Sequence, residues 1–404
     1  MKIGLSLLCE NPKRRTGLTS LFLSFVTHAL ELAPDLSFLI FCAEGQSLGL
    51  DSDRVQEDSR FAGNDRMGLR LLAEHFKIGP AACKAGCDVL ITTGLTPLRA
   101  GLPVVMQLFT LHHLTRTNRM SPLRSMYRKW ATLHGMRKAA LIITNTQFAC
   151  RQILSVNPGV AGKLLQSYEG IDHSRFFPAD PASGPELESL KEKFGIPEKY
   201  FFWCSNFYPY KQAELLMEAW CDLPEAMRTQ APLVMVGGGG WGDSKEETLA
   251  IAQRRGAADT VKMLDWVSDS DVPVLFRHAS VFVHPSREET FGRSVLEAMA
   301  SGVPCVVQDI PVMPEVTGGH AISIQYSDRA AASAALKHAM TDVDWRQGVI
   351  KAGLQKAGSF SFRRLSAERL RAIYLAAGKE PPPACLEFPL TYGESIPVPG
   401  LAKH

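Results

Sequence analysis

Short apolar runs alternate with stretches of helical periodicity along most of the chain, and this alternation narrows the possible folds more than any other feature. "KIGLSLL", "LSFLIFCA", "DVLITTG", "PVVMQLF" and "ALIITNT" read as strands of the first half, with "LTSLFLSFVTHALELA" as the helix after the first. The runs are continuously apolar, as in strands covered on both faces, so the predicted sheet is parallel with helical crossovers. A Pro-, Ala- and Ser-rich stretch around residues 178–185 interrupts the pattern and reads as a linker. The pattern then restarts with "YFFWCS", "LVMVGGGG", "VKMLDWV", "ASVFVHPS", "PCVVQD" and "AISIQY". Two doubly wound α/β units are therefore predicted, with a ligand site in a cleft between them, at the C-terminal ends of the strands.

With 404 residues, 46% of them hydrophobic, the chain can fill two or three domain cores. A net charge of +3 excludes little by itself. The nine cysteines form no disulfide framework; Cys83 and Cys87 stand four apart and the rest are scattered, mostly in apolar runs. They read as small core residues in a reducing compartment, and no second close pair points to zinc. "MKIGLSLLCENPKRR" carries its charges after its apolar run, unlike a signal peptide, and no run approaches the ~18 apolar residues of a membrane span. A cytoplasmic protein is expected.

Three segments carry chemistry. "LVMVGGGGWGD" contains G-x-G-x-x-G as Gly237, Gly239 and Gly242, after a strand and before a helix. A nicotinamide site is one reading. Four consecutive glycines make a wider turn than that fingerprint needs, and a loop approached closely by other backbone is the other reading. In "SNFYPYKQAELLMEAW", Lys211 stands at a helix start, where the macrodipole disfavours a cation; an anion such as a diphosphate would resolve the conflict, and an exposed loop lysine is the alternative. In "SREETFGRSVLEAMASGVP", Glu289 falls in the loop after a strand, while Glu297 lies eight residues on, inside an apolar helical run. Gly292 between them permits close backbone approach. Glu297 sits about 7 Å of rise into that helix, so both carboxylates can face one ligand, whose hydroxyls would donate to them.

The run "HPSREETFGRSVLEAMASGVPCVV" resembles the E-x7-E signature of retaining glycosyltransferases of family 4, with Glu289 and Glu297 as the pair. "EGIDHSRFFP" resembles the family's crossing into its second domain and "SNFYPYK" its phosphate loop. "GAADTVKMLDWVSDSDVPVLFRHASVFVHPS" resembles the segment after its glycine loop, and "FSFRRLSAERLRAIY" its last helix, which returns to the first domain. The resemblance implies the GT-B fold, two Rossmann-like doubly wound parallel-sheet domains facing a central cleft. Residues 1–180, joined by about 360–404, would be the acceptor domain, and 181–359 the donor domain. It further implies that Glu289 lies by the donor sugar, that Glu297 holds the nucleotide ribose and that Lys211 binds the diphosphate. Backbone at Phe291 and Gly292 would meet sugar hydroxyls, with Gly237 and Trp266 completing the donor set. Where Asn206 stands the family often has arginine, so diphosphate binding would rest on Lys211, helix amides or Arg293. In the first domain, Thr16 and Gly17 of "CENPKRRTG" would approach the phosphates or the acceptor, and His112 or His113 the sugar, a solvated loop histidine being the alternative.

The expected activity is transfer of a hexose-type sugar from a nucleotide-diphosphate donor to a hydroxyl acceptor, with retention and with no cofactor. No metal is expected, because no Asp-x-Asp follows a strand of the second domain. A nucleotide-sugar epimerase on the same fold, or a noncatalytic sugar-nucleotide-binding subunit, is the alternative. One oddity bears on partners: residues 89–168 contain no Asp or Glu, while "RTNRMSPLRSMYRKWATLHGMRK", residues 116–138, holds seven Arg and Lys interleaved with apolar residues at near-helical spacing. This basic helix is read either as a core-facing stripe with a solvated charged face or as a dock for an anionic membrane surface or a lipid-linked acceptor, which would make the protein peripheral at the inner membrane face. Nucleic acid is not expected, since no binding module accompanies the charge.

Overall fold

The computed structural model describes residues 1–10, 17–93, 95–111, 121–180, 184–239 and 244–396. The chain divides into two units, Met1–Gly170 with Phe362–His404, and Ile171–Ser361.

Among the described residues, the first unit carries an eight-stranded sheet. Its strands are β1 (Lys2–Ser6), β2 (Ser37–Ala43), β3 (Val55–Phe61), β4 (Val89–Thr93), β5 (Val104–Gln107), β6 (Leu141–Thr144), β7 (Leu164–Gln166) and β14 (Thr391–Tyr392). Their order is β14-β7-β6-β5-β4-β1-β2-β3, parallel throughout except for the β14–β7 pair. The central strands are buried along almost their whole length, which is why they read as continuous apolar runs. The polar edge strand β3, "VQEDSRF", gives no such signal. The Gly17–Leu32 helix buries Leu21, Phe22, Phe25 and Val26 in the same core as Leu365, Leu370 and Ile373 of the Phe362–Ala376 helix. The last long helix is thus part of the first unit.

The second unit is built on a six-stranded parallel sheet: β8 (Phe201–Cys204), β9 (Leu233–Val236), β10 (Val261–Leu264), β11 (Val281–His284), β12 (Cys305–Gln308) and β13 (Ile322–Ile324), in the order β10-β9-β8-β11-β12-β13. The crossing into this unit falls at Gly170 and Ile171, ahead of the expected linker, for a packing reason. Phe176 meets Phe276 edge-on at 5.7 Å between ring centroids, and the Arg277 guanidinium lies 3.6 Å over the Phe177 ring. Arg277 also donates to the carbonyls of Arg175 and Phe177. The segment before the Pro/Ala/Ser stretch is therefore anchored to the second unit, and the return falls at Ser361 and Phe362.

Each sheet has one place where strand order reverses, between β1 and β4 in the first unit and between β8 and β11 in the second. Loops leaving the C-terminal ends of such neighbours diverge and leave room for a ligand. The Pro122–Lys138 helix of the first unit buries only Ala131, Thr132, Gly135 and Met136, all in its second half. Its first half leaves Leu123 at 72%, Met126 at 64% and Trp130 at 45% exposure. The apolar side of this basic helix faces solvent there, which removes the core-facing reading for those residues. No described helix is long and apolar enough to cross a membrane.

Candidate active site

The reversal between β8 and β11 brings together residues far apart in sequence. After β8 the chain makes a 3-10 turn, Pro209–Lys211, and passes through Gln212 in the left-handed region (φ 54°) before the Ala213–Cys221 helix begins. Gln212 is the only described non-glycine residue with positive φ, and its side-chain oxygen is buried without a hydrogen-bond partner in the protein. Such strain persists only where the surroundings enforce it. Here it turns Lys211 back toward the loop after β11.

Lys211 Nζ lies 2.5 Å from Glu289 Oε1, and His284 Nε2 lies 3.0 Å from the same oxygen. Since an ionised carboxylate only accepts, His284 donates from Nε2, and its Nδ1 faces the Ser294 hydroxyl at 3.5 Å. The Lys211 and Glu289 side chains are only 14% and 13% exposed. Burial alone would raise the Glu289 carboxyl, but the Lys211 ammonium and the His284 ring outweigh it and hold Glu289 well below the usual carboxylate range. Glu289 is therefore a fixed negative charge, and it orients Lys211 rather than standing apart from it. His284 escaped the sequence reading; a histidine closing an apolar strand just before a loop glutamate was the available signal.

Gly292, with φ 96°, precedes the Arg293–Ala300 helix, and a Cβ there would come within 2.8 Å of Met313 Cε. Glu297 sits one turn after Arg293, with Arg293 Nε 3.9 Å from Glu297 Oε1. The carboxylate also reaches the end of β8: the half-buried Cys204 thiol is pushed up to about 12 by burial first and by Glu297 second. The Phe291 side chain is buried against Phe360, at 5.8 Å between ring centroids. Gly237 ends β9 with φ 143°, where a Cβ would overlap the Ser205 carbonyl at 1.8 Å, so only glycine lets the loops after β8 and β9 meet. Trp266 is 59% exposed, with its indole nitrogen 2.6 Å from where a Cβ on Gly238 would lie. Asn206 is exposed beside these loops.

The structure thus gathers Lys211, Glu289, Arg293 and Glu297 around the ends of β8 and β11, with Gly237 and Trp266 on the loops after β9 and β10. In the first unit, Gly17 opens a helix whose Thr19 hydroxyl donates to the buried Glu10 carboxylate at 2.7 Å. Thr16, His112 and His113, like Gly242 of the glycine loop, lie outside the described residues.

This geometry can be set beside known proteins. Residues 187–356 match the profile of the family described as glycosyl transferases group 1. In sequence the chain is similar to O-antigen chain mannosyltransferase B of Escherichia coli, 28% identical over 253 residues, covering 62% of this chain and 65% of that protein. It is similar also to mannosylfructose-phosphate synthase of Agrobacterium fabrum, 29% identical over 175 residues, covering 39% and 38%. The chain thus spans less than two thirds of the length of these relatives. In structure it resembles Anabaena Alr3699/HepE in complex with UDP and glucose, with a TM-score of 0.72, 18% identity and 91% and 97% of the two chains covered. It likewise resembles WaaG, a glycosyltransferase involved in lipopolysaccharide biosynthesis, with a TM-score of 0.73, 16% identity and 92% and 99% covered. The fold is GT-B. The GT-B second unit holds both the matched profile and the Lys211–Glu289–His284 arrangement.

Proposed function

We propose that this protein is a glycosyltransferase that moves a hexose-type sugar from a nucleotide-diphosphate donor to a hydroxyl acceptor, with retention of anomeric configuration, in the manner of family 4. The observation that carries the reading is the buried chain from Lys211 through Glu289 to His284 at the reversal point of the second sheet. Breaking a glycosidic bond to a diphosphate places new negative charge on the leaving group. An ammonium held by a permanently ionised carboxylate is already oriented to meet that charge, without reorganisation during the reaction. Glu297, a turn into the next helix, is suited to the hydroxyls of the ribose, and backbone at Phe291 and Gly292 to those of the sugar. Arg293, Asn206, Gly237 and Trp266 complete the donor surface. Lysine and helix amides supply the charge stabilisation, so the reaction proceeds without a metal.

The matched profile and the relatives named as mannosyltransferases support this reading and make mannosyl donors the first to test. The test is turnover of nucleotide sugars by the purified chain with and without a hydroxyl acceptor, after a thermal-shift screen has selected the donor. Sugar transfer that requires an acceptor is expected. Turnover independent of any acceptor would point to an epimerase, and stabilisation without turnover to a binding subunit. The proposal includes peripheral placement at the inner membrane face, through the basic helix in residues 116–138. Vesicles containing anionic lipid should co-sediment the protein and release it as salt rises, and binding indifferent to lipid charge would remove this part.

A further inference from the structure

The reversal point of the first sheet opens into a cavity of about 460 Å3, lined by Cys9 after β1, Thr93 of β4 and Gln107 of β5. Its far wall comes from two helical segments. Arg70 and Glu74 stand on the first, Arg124 and Arg128 on the Pro122–Lys138 helix. The two segments are tied together by a hydrogen bond of 2.6 Å between His75 Nε2 and the Tyr127 hydroxyl. Glu74 and His75 belong to a π-helical turn, Ala73–Lys77, a local irregularity that recurs at functional sites.

Two polar atoms of this wall, one on Arg70 and one on Glu74, are left without a hydrogen bond. Arg70 Nε and Glu74 Oε2 are 3.8 Å apart, too far for a hydrogen bond, and each is buried without a hydrogen-bond partner in the protein. Glu74 is only 6% exposed. Gln107 Oε1, across the cavity, is buried and equally unpartnered. The three guanidiniums crowd one another: burial first, then Arg124 and Arg70, push the Arg128 group down. Glu74 is the only acidic residue among the described residues lining the cavity. Planar guanidinium forks suit a phosphate, whereas an amide oxygen and a carboxyl suit hydroxyl donors. One ligand offers both chemistries.

We propose that this cavity binds the phosphate or diphosphate of a hydroxyl-bearing acceptor, with Arg70, Arg124 and Arg128 on the anion and Gln107 and Glu74 on the hydroxyls. The word acceptor, and nothing else here, rests on the glycosyltransferase reading. Two sources share this chemistry, a soluble sugar phosphate and a lipid-linked one. Met67 on the cavity wall is exposed, and so are Leu123 and Met126 on the arginine-bearing helix.

The test titrates the full chain calorimetrically with inorganic pyrophosphate and with farnesyl diphosphate, in the parent, in Arg124→Gln/Arg128→Gln and in Lys211→Ala. Both arginines lie on an exposed helix face, so the double variant keeps its fold. It should weaken both probes by at least about tenfold, and Arg124→Lys/Arg128→Lys should recover much of the loss. Lys211→Ala should remove only the pyrophosphate held by the second unit. Farnesyl diphosphate bound well above pyrophosphate assigns the cavity to a lipid-linked acceptor, and equal affinity to a soluble one. Binding undiminished by the double arginine change, or lost only in Lys211→Ala, overturns the proposal. If nucleotide sugars fail to stabilise the chain while pyrophosphate still binds here, the glycosyltransferase reading falls and this anion site stands.

Discussion

Both units place a buried carboxylate at the point where strand order reverses, and the two are treated in opposite ways. Glu289 in the second unit receives Lys211 and His284 on one oxygen and is held ionised. Glu74 in the first has an arginine only at 3.8 Å, and burial pushes its carboxyl up to about 7, Arg70 offsetting part of the rise. One site has its charge met within the protein, and the other leaves charge and hydrogen-bonding capacity to be met by a ligand. Compensation in advance suits a group that must stabilise charge during a reaction. An uncompensated wall suits recognition, because its polar groups discriminate against any occupant that cannot satisfy them.

The most severe way to break this comparison is Lys211→Ala, which leaves Glu289 buried with one partner. Stability should fall by about 3 kcal/mol in urea titrations. Turnover should fall about 100-fold through kcat more than through KM. Glu289 has a depressed folded pKa, so its stabilisation is present above its unfolded value and is lost as pH falls through the folded one. That acid-side loss should shrink in Lys211→Ala, and Glu289→Gln added to it should restore most of the stability. Strictly additive losses would mean that the pair is not coupled.

Glu74→Gln tests the opposite sign. A raised carboxyl costs nothing below its unfolded pKa, costs progressively more as pH rises toward about 7, and reaches its full cost above that. The variant should be more stable than the parent by up to about 3 kcal/mol at pH 8 and equal to it near pH 4, since each tenfold change in a protonation equilibrium is worth ~1.36 kcal/mol. A gain independent of pH would show that the carboxyl is not strained by burial. Glu297→Ala should weaken nucleotide binding by about 1.5–3 kcal/mol with the fold intact, and unchanged affinity would take the ribose from Glu297. The smallest effect belongs to Gln212→Gly, which removes the Cβ from a left-handed backbone conformation and should raise stability by about 1 kcal/mol. A loss instead would mean that the Gln212 side chain is held for a reason of its own.

The six strands of the second sheet were all legible: the buried inner strands β8, β9, β11 and β12 are continuously apolar, and the half-buried edge strands β10 and β13 keep enough apolar residues to read as strands. β3 was not, since an edge strand exposed along "VQEDSRF" carries no apolar signal. The crossing at Gly170 falls inside "EGIDHSRFFP", while the Pro/Ala/Ser stretch placed it too late, because composition marks a flexible stretch but not which side its flanking aromatics pack on, and Phe176 and Phe177 pack on the second unit. Glu289 and Lys211 were singled out separately; their direct pairing depends on β8 lying beside β11, which spacing along the chain does not encode. Glu74 and Gln107 gave no signal at all. Each is an ordinary polar residue until the topology brings the ends of β1, β4 and β5 to one place.

The Phe362–Ala376 helix also has a consequence for how the chain is made. Its Leu365, Leu370 and Ile373 share a core with Leu21, Phe22 and Phe25, so the first unit cannot close until these residues have left the ribosome. The second unit, continuous from Ile171 to Ser361, has all its own strands before then. Domains fold as units during synthesis, so the half of the molecule encoded later is the first able to finish. Through that interval the apolar face of the Gly17–Leu32 helix stays open and available to chaperones.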